Sequence, residues 1–203
     1  MAERTRSGTI ATLPNLLGLG RILATPVVMA LLLLPGEGTD LAAAIVFVIA
    51  ALSDIADGWI ARARDQVTPL GVFMDLAADK VLVAGVLIAM VEADLVPTWI
   101  AATILIREFV VQAVRQLAAA EDVVISARAL GKAKTLATNA GIALLLLAAD
   151  AASGGPLAAT GTGDALELVG LWVLALATVL SVISGYAYVA AAWPILTGVR
   201  PPN

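Results

Sequence analysis

Apolar runs of about 20 residues, the length needed to cross a hydrocarbon core, recur along the chain at 13–34, 40–62, 70–91, 97–118, 131–149 and 166–196. Turn chemistry is dense between them: PGEG at 35–38, ThrPro at 68–69, ValPro at 96–97 and SGGPLAATGTG at 153–163. The pattern predicts an all-α protein of six transmembrane helices. Pro26 is expected to kink the first helix, and Pro194 falls near the end of the last. With no internal repeat, residues 1–203 read as a single membrane domain, opened by a short polar segment at 1–12 that is not a cleavable signal.

Composition agrees with the pattern. Of 203 residues 61% are hydrophobic and 14% charged, and the mean hydropathy is +0.97, well outside the range of water-soluble domains. The chain has neither cysteine nor histidine, which excludes disulfides, thiolate nucleophiles and imidazole bases. Any catalysis is left to carboxylates, Lys, Arg, hydroxyls or a hard metal ion. The basic residues are sorted by side: segments 35–39, 92–96 and 150–165 hold no Lys or Arg, whereas Arg4, Arg6, Arg62, Arg64, Arg128 and Arg200 fall in or beside the other loops. The positive-inside rule then places both termini in the cytosol and the protein in the cell membrane.

Against this background the stretch SDIADGWIARARDQVTPLGVFMDLAADK at 53–80 is unusual, because it carries Asp54, Asp57, Asp75 and Asp79 inside apolar segments. Four such charges cost roughly 10 kcal/mol or more if nothing compensates them. Asp54 and Asp57 belong to the cytosolic half of the second helix, and Asp75 and Asp79 to the first turns of the third. Asp54, Asp57, Gly58, Ala61 and Arg62 recur at helical spacing and share one face. Gly71, Asp75 and Asp79 recur every four residues and form a second stripe, and as antiparallel neighbours the two helices are expected to bring their stripes face to face. The glycines leave room for close approach or a ligand. Four facing carboxylates make a hard, oxygen-rich site suited to Mg2+ or Mn2+ and able to hold two ions on phosphate oxygens. The plainer alternative is that they pair with Arg62, Arg64 and Lys80 as helix-end salt bridges.

Asp54-x2-Asp57-Gly58-x2-Ala61-Arg62-x8-Gly71-x3-Asp75-x3-Asp79 resembles the signature of the CDP-alcohol phosphatidyltransferases, with every fixed position and spacing kept. The resemblance implies six transmembrane helices enclosing a cytosol-facing polar cavity, usually in a homodimer. It implies that Asp54, Asp57 and Asp75 ligate the two-metal site that holds the pyrophosphate of a CDP-linked lipid. Asp79 would then be the general base on the acceptor hydroxyl while also touching a metal, and Gly58, Ala61 and Arg62, with Gly71, would receive the nucleotide.

Three further stretches are similar to the bacterial phosphatidylglycerophosphate synthases of that family: LPNLLGLGRILATPV at 13–27, DLAADKV at 75–81, and the pair IREFVVQAVRQ at 106–116 and LGKAKT at 130–135. The implied reaction joins CDP-diacylglycerol to sn-glycerol 3-phosphate and releases CMP, with Asn15 and Arg21 on the donor side and no nucleic-acid partner. Two positions depart from the pattern: Gly18 stands where a Thr is usual and Leu76 where a Pro is usual. A phosphorylated acceptor also needs cations beyond the metals, and Arg107, Arg115, Arg128, Lys132 and Lys134 fall toward the cytosolic ends of the fourth and fifth helices; the plainer alternative for Arg115, Arg128 and Lys132 is a role in topology or at anionic headgroups. Lys132 and Lys134 lie on nearly opposite helix faces, so one of them is expected to enter the cavity, and the resemblance favours Lys134. Glu108 is expected to pair with a basic residue rather than with metal, and Asn139 to hydrogen-bond between helices. The alternatives are the same chemistry on an inositol phosphate acceptor and, from another class, a divalent-cation transporter; the latter lacks the paired broken helices at mid-membrane that such proteins use.

Overall fold

The computed structural model describes residues 13–34, 36, 38–64, 69–121, 123 and 129–197; the side chains at 13–15, 54–64, 69–72 and 75 lie outside that description. Among the described residues six helices follow one another: α1 (Leu13–Leu33), α2 (Thr39–Arg64), α3 (Pro69–Glu92), α4 (Thr98–Ala120), α5 (Ala129–Ala152) and α6 (Gly163–Leu196), with a short 3-10 turn at Ala158–Thr160. No strand occurs among the described residues. Each helix coincides with one apolar run, because the runs stop where Pro, Gly and polar residues make the helical backbone costly. α1 continues through Pro26 and α6 through Pro194.

Among the described residues three helices are long and apolar enough to cross a membrane, over Leu16–Leu33, Ala129–Ala152 and Gly163–Leu196. α3 and α4 match them in length but carry Asp75, Asp79 and Lys80, and Arg107, Glu108 and Arg115. The outer surface is apolar: Phe73, Trp99, Phe109, Leu136 and Trp172 all stand exposed, an arrangement that suits hydrocarbon rather than water.

The interior divides along its length. Buried apolar side chains gather where α1, α3 and α5 end and α2, α4 and α6 begin, with Leu32, Phe47, Met90, Ile104, Leu146 and Leu174 among them. At that end Asp150, fully buried, accepts the Leu157 N–H at 2.9 Å, and Ser153 donates to Asp40 at 2.7 Å, which ties the α5–α6 loop to the start of α2. Polar side chains occupy the opposite end.

The packing differs from the sequence expectation in one respect. α1 lies against both α2 and α3, whereas among the described residues α2 and α3 make little contact with each other. Short connection in sequence therefore did not make them principal packing partners. α5 packs on α6 and α2, and α4 on α6. The α5–α6 seam is close because Gly141 faces the Leu174 backbone, where a Cβ would come 3.1 Å from its nitrogen, and Gly170 faces the Leu145 side chain, where a Cβ would come 2.9 Å from Cγ. This seam fixes the far half of α6 beside the polar end of the bundle.

Candidate active site

The backbone carries the motif on two helix ends that meet the polar half of the bundle. Positions 54, 57, 58, 61 and 62 lie in the last turns of α2, and 71, 75 and 79 in the first turns of α3. The side chains of Asn15, Asp54, Asp57, Gly58, Ala61, Arg62, Gly71 and Asp75 lie outside the described residues. Asp79 is described, with its carboxylate partly exposed and 3.5 Å from the Lys80 ammonium.

Lys80 leads to the centre of the site. Its Nζ also bonds Glu108 Oε2, while Lys134 Nζ and Arg107 Nη1 reach Glu108 Oε1 at 2.6 and 2.7 Å. One carboxylate from α4 thus holds cations from α3, α4 and α5. Glu108 is 7% exposed and Lys134 3%, so these charges are compensated mainly by each other, as burial demands. Counting Lys80, Arg107 and Lys134 against Glu108 and Asp79 leaves one positive charge beyond neutrality. The expected pairing of Glu108 with a basic residue is thus present three times over.

Arg107 is held from a second side by α6. Its Nη2 donates to Ser184 Oγ at 3.0 Å, its guanidinium carbon lies 5.7 Å from the centre of the Tyr188 ring, and its Nε is buried with no partner among the described residues. A Cβ on Gly185 would come 3.0 Å from Arg107 Cγ, so the glycine leaves space for the arginine stem.

Two adjoining cavities of about 280 and about 680 Å3 share Lys80, Glu108, Gln112, Thr135 and Asn139 as walls. The smaller is completed by Asp79, Lys134 and apolar residues such as Leu76, Val83 and Leu105. The larger is completed by Arg107, Arg115, Lys132 and Tyr188. Lys134 is buried against Glu108, and Lys132 is exposed at the rim of the larger cavity. Asn139, expected to hydrogen-bond between helices, lines both cavities, and its Oδ1 has no partner among the described residues. Arg21 is buried on α1 at 2% exposure, and Gly18 lies against α3, where a Cβ would stand 3.4 Å from Met74 Cβ.

No site residue was expected on α6. Ser184, Gly185 and Tyr188 share a face of a helix that has no charged residue after Glu167, and the one visible signal was a polar residue recurring at helical spacing within an apolar run.

The chain matches a transferase family, the CDP-alcohol phosphatidyltransferases, over residues 11–183, and it belongs to that family. Among its relatives, the CDP-diacylglycerol--glycerol-3-phosphate 3-phosphatidyltransferase of Bacillus subtilis is 35% identical over 91% of this chain and 96% of its own. A probable phosphatidylglycerophosphate synthase of Mycobacterium tuberculosis is 35% identical over 94% of this chain and 86% of its own. A cardiolipin synthase (CMP-forming) of Oryza sativa is 31% identical over 92% of this chain and 59% of its own.

Proposed function

We propose that the chain is a membrane enzyme that transfers the phosphatidyl group of CDP-diacylglycerol to sn-glycerol 3-phosphate, giving phosphatidylglycerophosphate and CMP. The observation that carries this reading is the clustering of Lys80, Arg107 and Lys134 on one buried carboxylate beside Asp79, the last residue of the family motif. A cavity wall with excess positive charge is what a phosphate-bearing acceptor requires next to the base that activates its hydroxyl. Relatives named for the glycerol 3-phosphate reaction match over most of the chain, which supports this acceptor over inositol phosphate.

The donor set fits a hard divalent ion. Positions 54 and 57 near the end of α2 and 75 and 79 near the start of α3 supply carboxylates only, at helical spacing and at the polar end of the bundle. Among the described side chains no three potential ligands gather; those of Asp54, Asp57 and Asp75 lie outside the description. Asp54, Asp57, Asp75 and Asp79 would hold Mg2+ or Mn2+, which when bound neutralises the diphosphate and the departing nucleotide.

The residues of the chain divide the remaining work. Asn15, Arg21, Gly58, Ala61, Arg62 and Gly71 receive the CDP-lipid, with small residues where the nucleotide comes close to the backbone. Arg107, Lys134, Lys132 and Arg115 attract and orient the acceptor phosphate. The Asp79 carboxylate takes the proton of the acceptor hydroxyl as its oxygen bonds to the lipid-side phosphorus. The bond from that phosphorus to the bridging oxygen breaks, and CMP leaves with the oxygen and the electron pair.

The same reading includes six membrane crossings in one domain, both termini and a polar cavity on the cytosolic side, and assembly as a homodimer. The topology is supported by the loops free of Lys and Arg at 35–39, 92–96 and 150–165.

The test is CMP release by the purified protein in detergent with CDP-diacylglycerol and Mg2+ or Mn2+, comparing glycerol 3-phosphate, inositol phosphate, serine and phosphatidylglycerol. Release with glycerol 3-phosphate alone, abolished by chelator, is expected. Release with another acceptor alone would reject the acceptor assignment, and no release with any would reject the enzyme.

A further inference from the structure

The outer side of Arg107 is built by α6, a helix outside the family motif. Ser184, Gly185 and Tyr188 lie on one face of α6 because 184 and 188, and 185 and 188, are a helical turn apart. Each contributes differently: Gly185 leaves space for the stem of Arg107, Ser184 accepts a hydrogen bond from Nη2 at 3.0 Å, and the Tyr188 ring lies 5.7 Å from the guanidinium carbon. Tyr188 is only 4% exposed yet lines the larger cavity. The arginine is therefore fixed on three sides before any ligand arrives.

The electrical consequence separates α6 from Glu108. The Glu108 carboxylate neutralises part of the cationic cluster, whereas serine and a tyrosine ring orient a guanidinium without cancelling its charge. An arginine set over a ring keeps its in-plane N–H donors, and Nη1 and Nη2 of Arg107 each carry a second N–H beyond the ones given to Glu108 and Ser184. Planar donors held in one orientation favour an anion of matching geometry over a neutral polar group.

We propose that Tyr188, with Ser184, is the positioning residue that holds Arg107 ready for the acceptor's phosphate and so sets selectivity for phosphorylated over unphosphorylated acceptors. This rests on reading the cavity as the acceptor site. Tyr188 acts through Arg107, on the acceptor side alone; donor binding does not depend on it.

The experiment compares wild type, Tyr188→Phe, Tyr188→Leu and Ser184→Ala as full-length proteins in detergent, measuring CMP release at varied glycerol 3-phosphate and, separately, at varied CDP-diacylglycerol. Losing the ring in Tyr188→Leu is expected to raise the acceptor KM roughly threefold to thirtyfold. The donor KM and the affinity for CMP are expected to hold within about twofold, a split that general loss of structure would not produce. Tyr188→Phe keeps the ring and is expected to restore most of the acceptor affinity, and Ser184→Ala to fall between. An unchanged acceptor KM in Tyr188→Leu, equal rises in donor and acceptor KM, or a Tyr188→Phe variant as impaired as Tyr188→Leu would each overturn the proposal. A wild-type protein that turns over without any phosphorylated acceptor would instead remove the acceptor reading itself, a result distinguishable from the others because it appears before any substitution is made.

Discussion

Asp79→Asn is expected to bind CMP with near-normal affinity and to lose turnover by roughly 10²- to 10⁴-fold, the contribution usual for a positioned general base. Asparagine keeps the size of the side chain and one oxygen but has no basic site for the acceptor proton. Lys80, which lies 3.5 Å from Asp79, remains anchored by Glu108, and Asp54, Asp57 and Asp75 remain to hold the metal, so the loss falls on the chemical step. Asp57→Asn is the comparison: as a ligand without a role in proton transfer, it is expected to lose metal-dependent CMP binding together with turnover. Single-turnover CMP release and calorimetric CMP titration, each with and without Mg2+, separate the two patterns. Full activity in both variants would contradict the assigned roles.

Glu108→Ala is expected to be the most destabilising single substitution in the cavity wall, by about 3–5 kcal/mol, because removing one partner of a buried ionic cluster leaves the others uncompensated. Lys134 is the residue most affected. It is 3% exposed and its ammonium sits 2.6 Å from Glu108, so the truncated protein has a buried charge with no counter-ion. The thermal unfolding midpoint in detergent, read at fixed protein and lipid concentration, reports the effect. Pairing the change with Lys134→Met removes the orphaned charge and is expected to recover part of the loss, as coupled neighbours do. Equal stability of Glu108→Ala and wild type would show that the carboxylate is not what holds the cluster together.

Much of this was legible in the chain before its folding was considered. The six runs at 13–34, 40–62, 70–91, 97–118, 131–149 and 166–196 agree with the helices to within three residues, the widest offsets falling at the end of α5 and the start of α6. Membrane-length helices are easy to locate because a long apolar run bounded by Pro, Gly and charge has few other solutions. The aspartate motif was legible for a different reason: carboxylates in apolar helices are expensive, and regular spacing makes them a set.

What the sequence could not display is convergence between distant segments. Residues 80, 107, 108 and 134 sit on three helices, and nothing in their local surroundings says that Glu108 would gather all three cations. The facing of α2 and α3 was inferred from adjacency in the chain, but α1, with Gly18 set against Met74, packs on both. α6 reads as a uniform apolar span, since a tyrosine and a serine in such a helix look like ordinary packing until their partner on α4 is known. Asn139 is the converse case: an asparagine in a membrane helix suggests a bond to a neighbouring helix, and its Oδ1 stands without a partner among the described residues on a wall common to both cavities.

The transfer itself is measured most directly by supplying radiolabelled sn-glycerol 3-phosphate with CDP-diacylglycerol and Mg2+ or Mn2+, and counting label in extracted lipid against CMP formed. One labelled lipid per CMP, both lost on adding chelator, is the expected result. CMP formed without label entering lipid, or label entering lipid without CMP, would contradict phosphatidyl transfer to glycerol 3-phosphate.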